Sequence, residues 1–184
     1  MINMVLDAML KRSSIRGYKP EKLTEKELAV LKKAALSSPT AMNRQDQRFV
    51  FATDAALIER LDNEIMEGIV RSGNVEFAER MKARGGKPTY GAPLVVVICS
   101  RPAHFSRVDA GIAVENIALA AKSIGLDSVI LGMPEGAFSG EEGRAMRELF
   151  RFPEGFEFSI AISVGRRATD KEPHEWNEDH VIMI

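Results

Sequence analysis

The decapeptide "KRSSIRGYKP", residues 11–20, sets Lys11, Arg12, Arg16 and Lys19 around two hydroxyls, Ser13 and Ser14. Forked guanidinium N–H groups and a serine hydroxyl are the donors that an oxygen-rich dianion such as a phosphate monoester requires. Arg12 and Arg16 are four residues apart, so a continuing helical turn brings both to one face. The cluster also follows the apolar turn Val5, Leu6, Met9 and Leu10 and stops at Pro20, and cations opposing the negative end of a helix give the same pattern. Three further stretches carry polar or glycine-marked residues where an element ends, which is where sites tend to be built. In "SPTAMNRQ" (38–45), Asn43 and Gln45 offer amides able to read the edge of a heterocycle, while Pro39, Thr40 and Asn43 equally suit a turn. In "SVILGMPEG" (128–136), Gly132 allows a flat ligand close to the backbone or simply turns a strand into a helix. "VGRR" (164–167) adds Arg166 and Arg167 at another strand end.

Other chemistries lack their residues. His104, His174 and His180 are scattered, with no thiol or carboxylate at ligand spacing, so no metal is expected. No Ser/His/Asp or Cys/His arrangement, P-loop or strand-linked G-x-G-x-x-G is visible. Cys99, the single cysteine, lies within "LVVVIC" and suits a small buried hydrophobe. Lys plus Arg number 25 against 26 Asp plus Glu, so no global field draws the chain to nucleic acid, and an anion site must be local. No signal-peptide pattern and no bilayer-length apolar run appear, so a cytoplasmic protein without a membrane partner is expected. The 184 residues suit one domain, 1–184, with a real core.

The elements that must position these residues follow from periodicity and caps. After the first helix, Thr24 and Glu27 form a capping-box pattern ahead of Leu28, Leu31, Ala34 and Ala35. "RFVFAT" (48–53) reads as a strand, and Asp54 caps a helix carrying Leu57, Ile58, Leu61, Ile65 and Ile69. The charged, glycine-punctuated excursion over 71–93 reads as a surface loop with a frayed helix, or as a lid. "LVVVIC" suits a central strand covered on both faces. "SRVDAGIAVENIALAAKSIG" is helical and apolar around nearly its whole circumference, which demands burial on several sides. "DSVILG" and "FEFSIAISVG" are strands, and Ser139 with Glu142 predicts a second capping box opening a helix that runs to Phe150. The apolar end "VIMI" has no core of its own to join, and adding it to a sheet as a strand would order it. The whole order indicates a single α/β or α+β sandwich.

Taken in order, these segments resemble the nitroreductase family of FMN-dependent oxidoreductases. The likeness runs through Arg-x-Ser-x-Arg at residue 12, "SPTAMNRQ", "YGAPLVVVI", "DAGIAVENIALAAKSIGLDSVILG" and the closing "ISVG". The resemblance implies an α+β fold with a mixed central sheet flanked by helices, and an intertwined homodimer whose C-terminal "VIMI" crosses to extend the partner's sheet. It implies FMN at the subunit interface. Arg12, Ser13, Ser14 and Arg16 match phosphate and flavin contacts; Thr40, Ala41, Met42, Asn43 and Gln45 match a segment laid beside the partner's flavin. Ile130, Leu131 and Gly132 match the strand end near flavin N5, and Arg166 or Arg167, with His174 as competitor, matches a further phosphate cation.

Two departures stand out. Relatives carry Pro-Trp after the glutamine where this chain has Asp46 and Gln47, and the cation near flavin N1 and O2 falls on either Arg84 or Lys87. The implied activity is hydride transfer from NADH or NADPH through flavin N5 to a nitroaromatic, quinone or related small acceptor, in ping-pong order, with no catalytic side chain of its own. Same-fold tasks such as dehalogenation, enoyl reduction or flavin fragmentation, and non-catalytic flavin binding, are the alternatives.

Overall fold

The computed structural model describes residues 3–184. Strands β1 (Gln47–Ala52), β2 (Leu94–Ser100), β3 (Asp127–Leu131) and β4 (Glu157–Gly165) form one sheet in the order β1-β2-β4-β3. Every neighbouring pair is antiparallel. The mixed direction expected of the sheet is confined to one parallel bridge, Ser14 to Ser128, where Ile15 N–H donates to the Ser128 carbonyl at 3.1 Å. That bridge lays the Arg-x-Ser-x-Arg segment along β3.

All seven residues of β2 are buried, as a β-branched run at the centre of a sheet covered on both faces should be. Leu94, Val96 and Ile98 pack on α2 (Glu25–Leu36) and α5 (Ser106–Ser123) through Leu31, Ala113 and Ile117. Val95 and Val97 face the other way, onto α3 (Ala55–Arg71), α6 (Glu135–Phe138) and α7 (Arg144–Leu149) through Ile58, Leu61, Phe138 and Met146. Phe138 is stacked with Phe152 at 5.0 Å and Phe158 at 5.5 Å and meets Phe150 edge-on, an aromatic cluster that closes this layer. The first helix, α1 (Met4–Lys11), lies on α5.

Thr24 forms the expected capping box with Glu27, and Asp54 caps α3 by accepting from Ala56 and Leu57. Two expectations are corrected. The excursion after α3 contains a full helix, α4 (Val75–Ala83), capped by Asn74 and anchored by buried Ala78 and Met81. The Ser139–Glu142 box does not form: Ser139 donates its hydroxyl to the Glu135 carbonyl at 2.6 Å, ending α6, and α7 starts later at Gly143 without a side-chain cap. Glycine is required at 143, because a Cβ there would collide with the Phe138 and Ser139 backbone. Residues 181–184 form no strand within the chain, and all four side chains are exposed. Among the described residues, no helix is long and apolar enough to cross a membrane.

Candidate functional site

At the C-terminal end of β3 the chain turns through Gly132, Met133 and Pro134, and beside this turn lies a cleft of about 440 Å³. Its far wall is α4, which brings Phe77, Arg80, Met81 and the C-cap residue Arg84 to one face at helical spacing. Arg16 enters from the segment bridged to β3, and Tyr90 from the loop before β2. Three arginines, Arg16, Arg80 and Arg84, thus line one hollow whose lining contains no aspartate or glutamate. None of the three makes an ion pair among the described residues. Arg16 reaches only the Ser14 carbonyl, at 3.4 Å, and Arg80 lies 5.0 Å over the Phe77 ring. Like charges gathered without a counter-charge make a site for an anion. A Cβ placed on Gly132 would meet nothing within 4 Å, so the strand end is open to a flat ligand. The donors and the open glycine therefore fit a flavin whose pyrimidine edge becomes negative on reduction.

Ile130, Leu131, Gly132 and Arg16 all line this cleft, and of the two cations left open by sequence it is Arg84, not Lys87, that does so. Arg12 caps α1 and sits 3.5 Å from Glu115 of α5, with about a quarter of its side chain exposed. Ser14 is half-buried and makes no side-chain hydrogen bond among the described residues. Ser13 is buried and its hydroxyl donates to the Lys171 carbonyl at 2.7 Å, which pins the C-terminal tail across the cluster. Arg166 and Arg167 are also occupied. Arg166 binds Glu27 at 2.7 Å and Glu21 at 3.6 Å, and Arg167 forks onto buried Asp127, which also holds Lys122. His174 is exposed.

The segment Thr40–Gln45 stands apart from the cleft. Ala41, Met42 and Asn43 form a single 3-10 turn, tied down where Ala41 N–H donates to Asp109 at 3.0 Å and Gln45 N–H to the Thr40 hydroxyl at 3.0 Å. Met42, Asn43 and Gln45 all have φ between 52° and 54°, a left-handed backbone that costs non-glycine residues energy and persists where surroundings over-determine it. Met42 is 85% exposed at the tip. Behind the turn, Gln47 is buried with neither amide atom hydrogen-bonded. The residues lining the basic cleft do not include any of 40–45.

The cleft is braced from behind. Buried Asp62 on α3 accepts from Thr89 N–H at 2.7 Å and its hydroxyl at 2.9 Å, and Ser163 of β4 donates to the Thr89 carbonyl at 2.9 Å. Burial pushes the Asp62 carboxyl above its ordinary pKa despite those bonds, and this tether fixes the loop carrying Tyr90. Cys99 has its thiol pushed up to about 11 by burial and stays a neutral packing group. Sequence reasoning did not single out Phe77, Arg80 or Tyr90 as individual residues; the i, i+3, i+4, i+7 spacing of Phe77, Arg80, Met81 and Arg84 was the available signal, obscured by the glycines that follow.

The sequence profile of the nitroreductase family matches residues 9–166. A solved nitroreductase with bound FMN from Desulfitobacterium hafniense is 30% identical and superposes over 100% of both chains with a TM-score of 0.94. A relative from Archaeoglobus fulgidus, named provisionally as an NADH dehydrogenase/NAD(P)H nitroreductase, is 26% identical over 92% of this chain and 89% of its own. An iodotyrosine deiodinase from Thermotoga neapolitana is 27% identical over 96% of each.

Proposed function

The chain belongs to the nitroreductase family, and from that premise we propose that it is an FMN-dependent oxidoreductase, working as a homodimer, that takes hydride from NADH or NADPH and reduces electron-poor acceptors such as nitroaromatics or quinones. The observation that carries this reading is the cleft at the end of β3, lined by Arg16, Arg80 and Arg84 with no aspartate or glutamate, beside the open face of Gly132. Bound FMN would supply the hydride chemistry at its N5, which no side chain of the protein can provide.

The chain's own residues hold, orient and charge-balance that group. Arg16 and Arg84 line the cleft and would oppose the negative charge that reduction places on the pyrimidine edge. Arg12 and Ser14 supply phosphate donors, Arg12 at the cost of loosening its 3.5 Å contact with Glu115. The backbone of Ile130–Gly132 supports the ring. Thr40, Ala41, Met42, Asn43 and Gln45 complete the wall from a second copy of the chain, which accounts for a strained turn tied down by Thr40 and Asp109 yet absent from its own cleft.

Exposed apolar surface supports the dimer. Met4, Val5, Leu6, Met9 and Leu10 of α1, Phe105 at the cap of α5, and Val108 and Ile112 within α5 are exposed apolar side chains. A groove of about 500 Å³ between α2 and the free edge of β1, lined by Leu36, Phe49 and Phe51, suits the partner's Val181–Ile184 as an added strand.

The decisive experiment is anaerobic. The purified protein reconstituted with FMN is expected to bleach on adding NADH or NADPH, recolour on adding a nitroaromatic or quinone, and give parallel initial-rate lines. Failure to take up FMN overturns the reading, and lines that fit only a ternary complex overturn the ping-pong order. The similarity to a deiodinase favours one second reading, reductive dehalogenation at the same site. Iodide release from 3-iodotyrosine, with no turnover of nitroaromatics, would select it.

A further inference from the structure

The proposed function leaves one cation of the cleft without a task. It sets Arg12 and Ser14 toward the phosphate and Arg16 and Arg84 toward the pyrimidine edge, and Arg80, which lines the same hollow, has no assigned partner. It is exposed, has no ion-pair partner among the described residues, and lies one helical turn before Arg84 on the cleft face. Its guanidinium rests 5.0 Å over the Phe77 ring, so the group is held by a cation–π contact while its N–H edge stays free. A planar fork fixed in this way matches a carboxylate or sulfonate. The surroundings fit an arene: Phe77 and Tyr90 are half-buried aromatics, and Met81 and Met133 add soft apolar contact.

Resting on the oxidoreductase reading, we infer that Arg80 is a specificity residue that binds the anionic substituent of an aromatic acceptor, so that the preferred acceptors are aromatic acids rather than their neutral counterparts. The carboxylate pairs with Arg80 while the ring lies against Phe77 and the open face of the cofactor. The alternative role for Arg80, a solvated cation opposing the C-terminal dipole of α4, gives no such preference.

The test compares 4-nitrobenzoate with 4-nitrobenzyl alcohol on FMN-loaded protein, and measures binding of the non-reducible pair benzoate and benzyl alcohol by perturbation of the flavin absorbance. The parent is expected to favour the acid in both assays. Replacing a charged hydrogen-bonding partner should lower that preference by about 10- to 100-fold in Arg80→Gln, chiefly through KM and Kd. Arg80→Lys should recover part of it, and Arg80→Glu should invert it. Flavin content is measured for each variant. An unchanged preference in Arg80→Gln at full flavin content overturns this inference while leaving the proposed function intact. So does a change confined to the KM for NADPH relative to NADH, which would assign the cation to the nucleotide. No flavin uptake by the parent overturns both together.

Discussion

Arg16→Gln separates a residue that holds a ligand from one that holds the fold. Arg16 is exposed, makes no ion pair, and faces Arg80 and Arg84 across a cleft without carboxylates, so the ligand-free variant should change in stability by no more than about 0.5 kcal/mol. Ligand binding should respond differently. At FMN concentrations near 100 times the parent Kd, binding stabilises the native state by about 2.7 kcal/mol. Loss of one charge-assisted partner costs about 1.5–3 kcal/mol, which raises Kd by about 10- to 150-fold. The stabilisation at the same FMN concentration then falls to about 0.3–1.3 kcal/mol. For a chain of this length each kcal/mol moves Tm by about 2–4 °C, so an FMN-induced shift of about 5–11 °C should shrink to about 1–5 °C. Thermal unfolding followed by far-UV circular dichroism, with and without FMN, reads both quantities. Equal shifts in parent and variant would refute the assignment of Arg16 to the flavin, and a ligand-free loss above about 1 kcal/mol would show that it braces the fold instead.

Deleting Val181–Ile184 removes four exposed side chains, of which strand alternation would bury two against a partner. At about 1.5–3 kcal/mol each, the dimer should lose about 3–6 kcal/mol per arm, visible in sedimentation velocity as dissociation at concentrations where the parent stays dimeric. Asp62→Ala orphans the buried Thr89 N–H and hydroxyl, at about 1–3 kcal/mol for each donor, and should lower the urea midpoint while loosening the loop that carries Tyr90. Glu27 gives a pH signature. Partial burial works against its ionisation, but hydrogen bonds from the Thr24 N–H and hydroxyl and the nearby Arg166 hold its carboxyl below the ordinary glutamate value. A lowered folded pKa stabilises fully above the unfolded value and is lost as pH falls through the folded one. The difference in urea midpoint between parent and Glu27→Gln should therefore be constant near neutrality and close in acid, below about pH 4.

Local signals were sufficient wherever a segment's neighbours in sequence are also its neighbours in space. Thr24 and Asp54 cap their helices as read, because a cap is settled within three residues. The β-branched run at Leu94–Ser100 is the buried centre of the sheet, because continuous apolarity leaves it no wet face. The same logic misled at Ser139, whose hydroxyl donates to the Glu135 carbonyl behind it at the end of α6, where Gly143 packs against the Phe138 and Ser139 backbone. Residue types likewise marked Arg12, Ser14 and Arg16 as candidate phosphate donors and Gly132 as a strand end open to a flat ligand, and the family resemblance added Ile130 and Leu131 and joined them into one site. Only the tertiary structure decided that Arg84 rather than Lys87 lines one cleft with Arg16, that Arg80 lines it too, and that Ser13, Arg166 and Arg167 are held by Lys171, Glu27 and Asp127. Each of those outcomes pairs residues tens of positions apart or more. Sequence sets which charges and hydroxyls exist, whereas the placing of α4 across the cleft from β3 and the bond from Ser13 to the tail set which are left without a partner and are therefore free for a ligand.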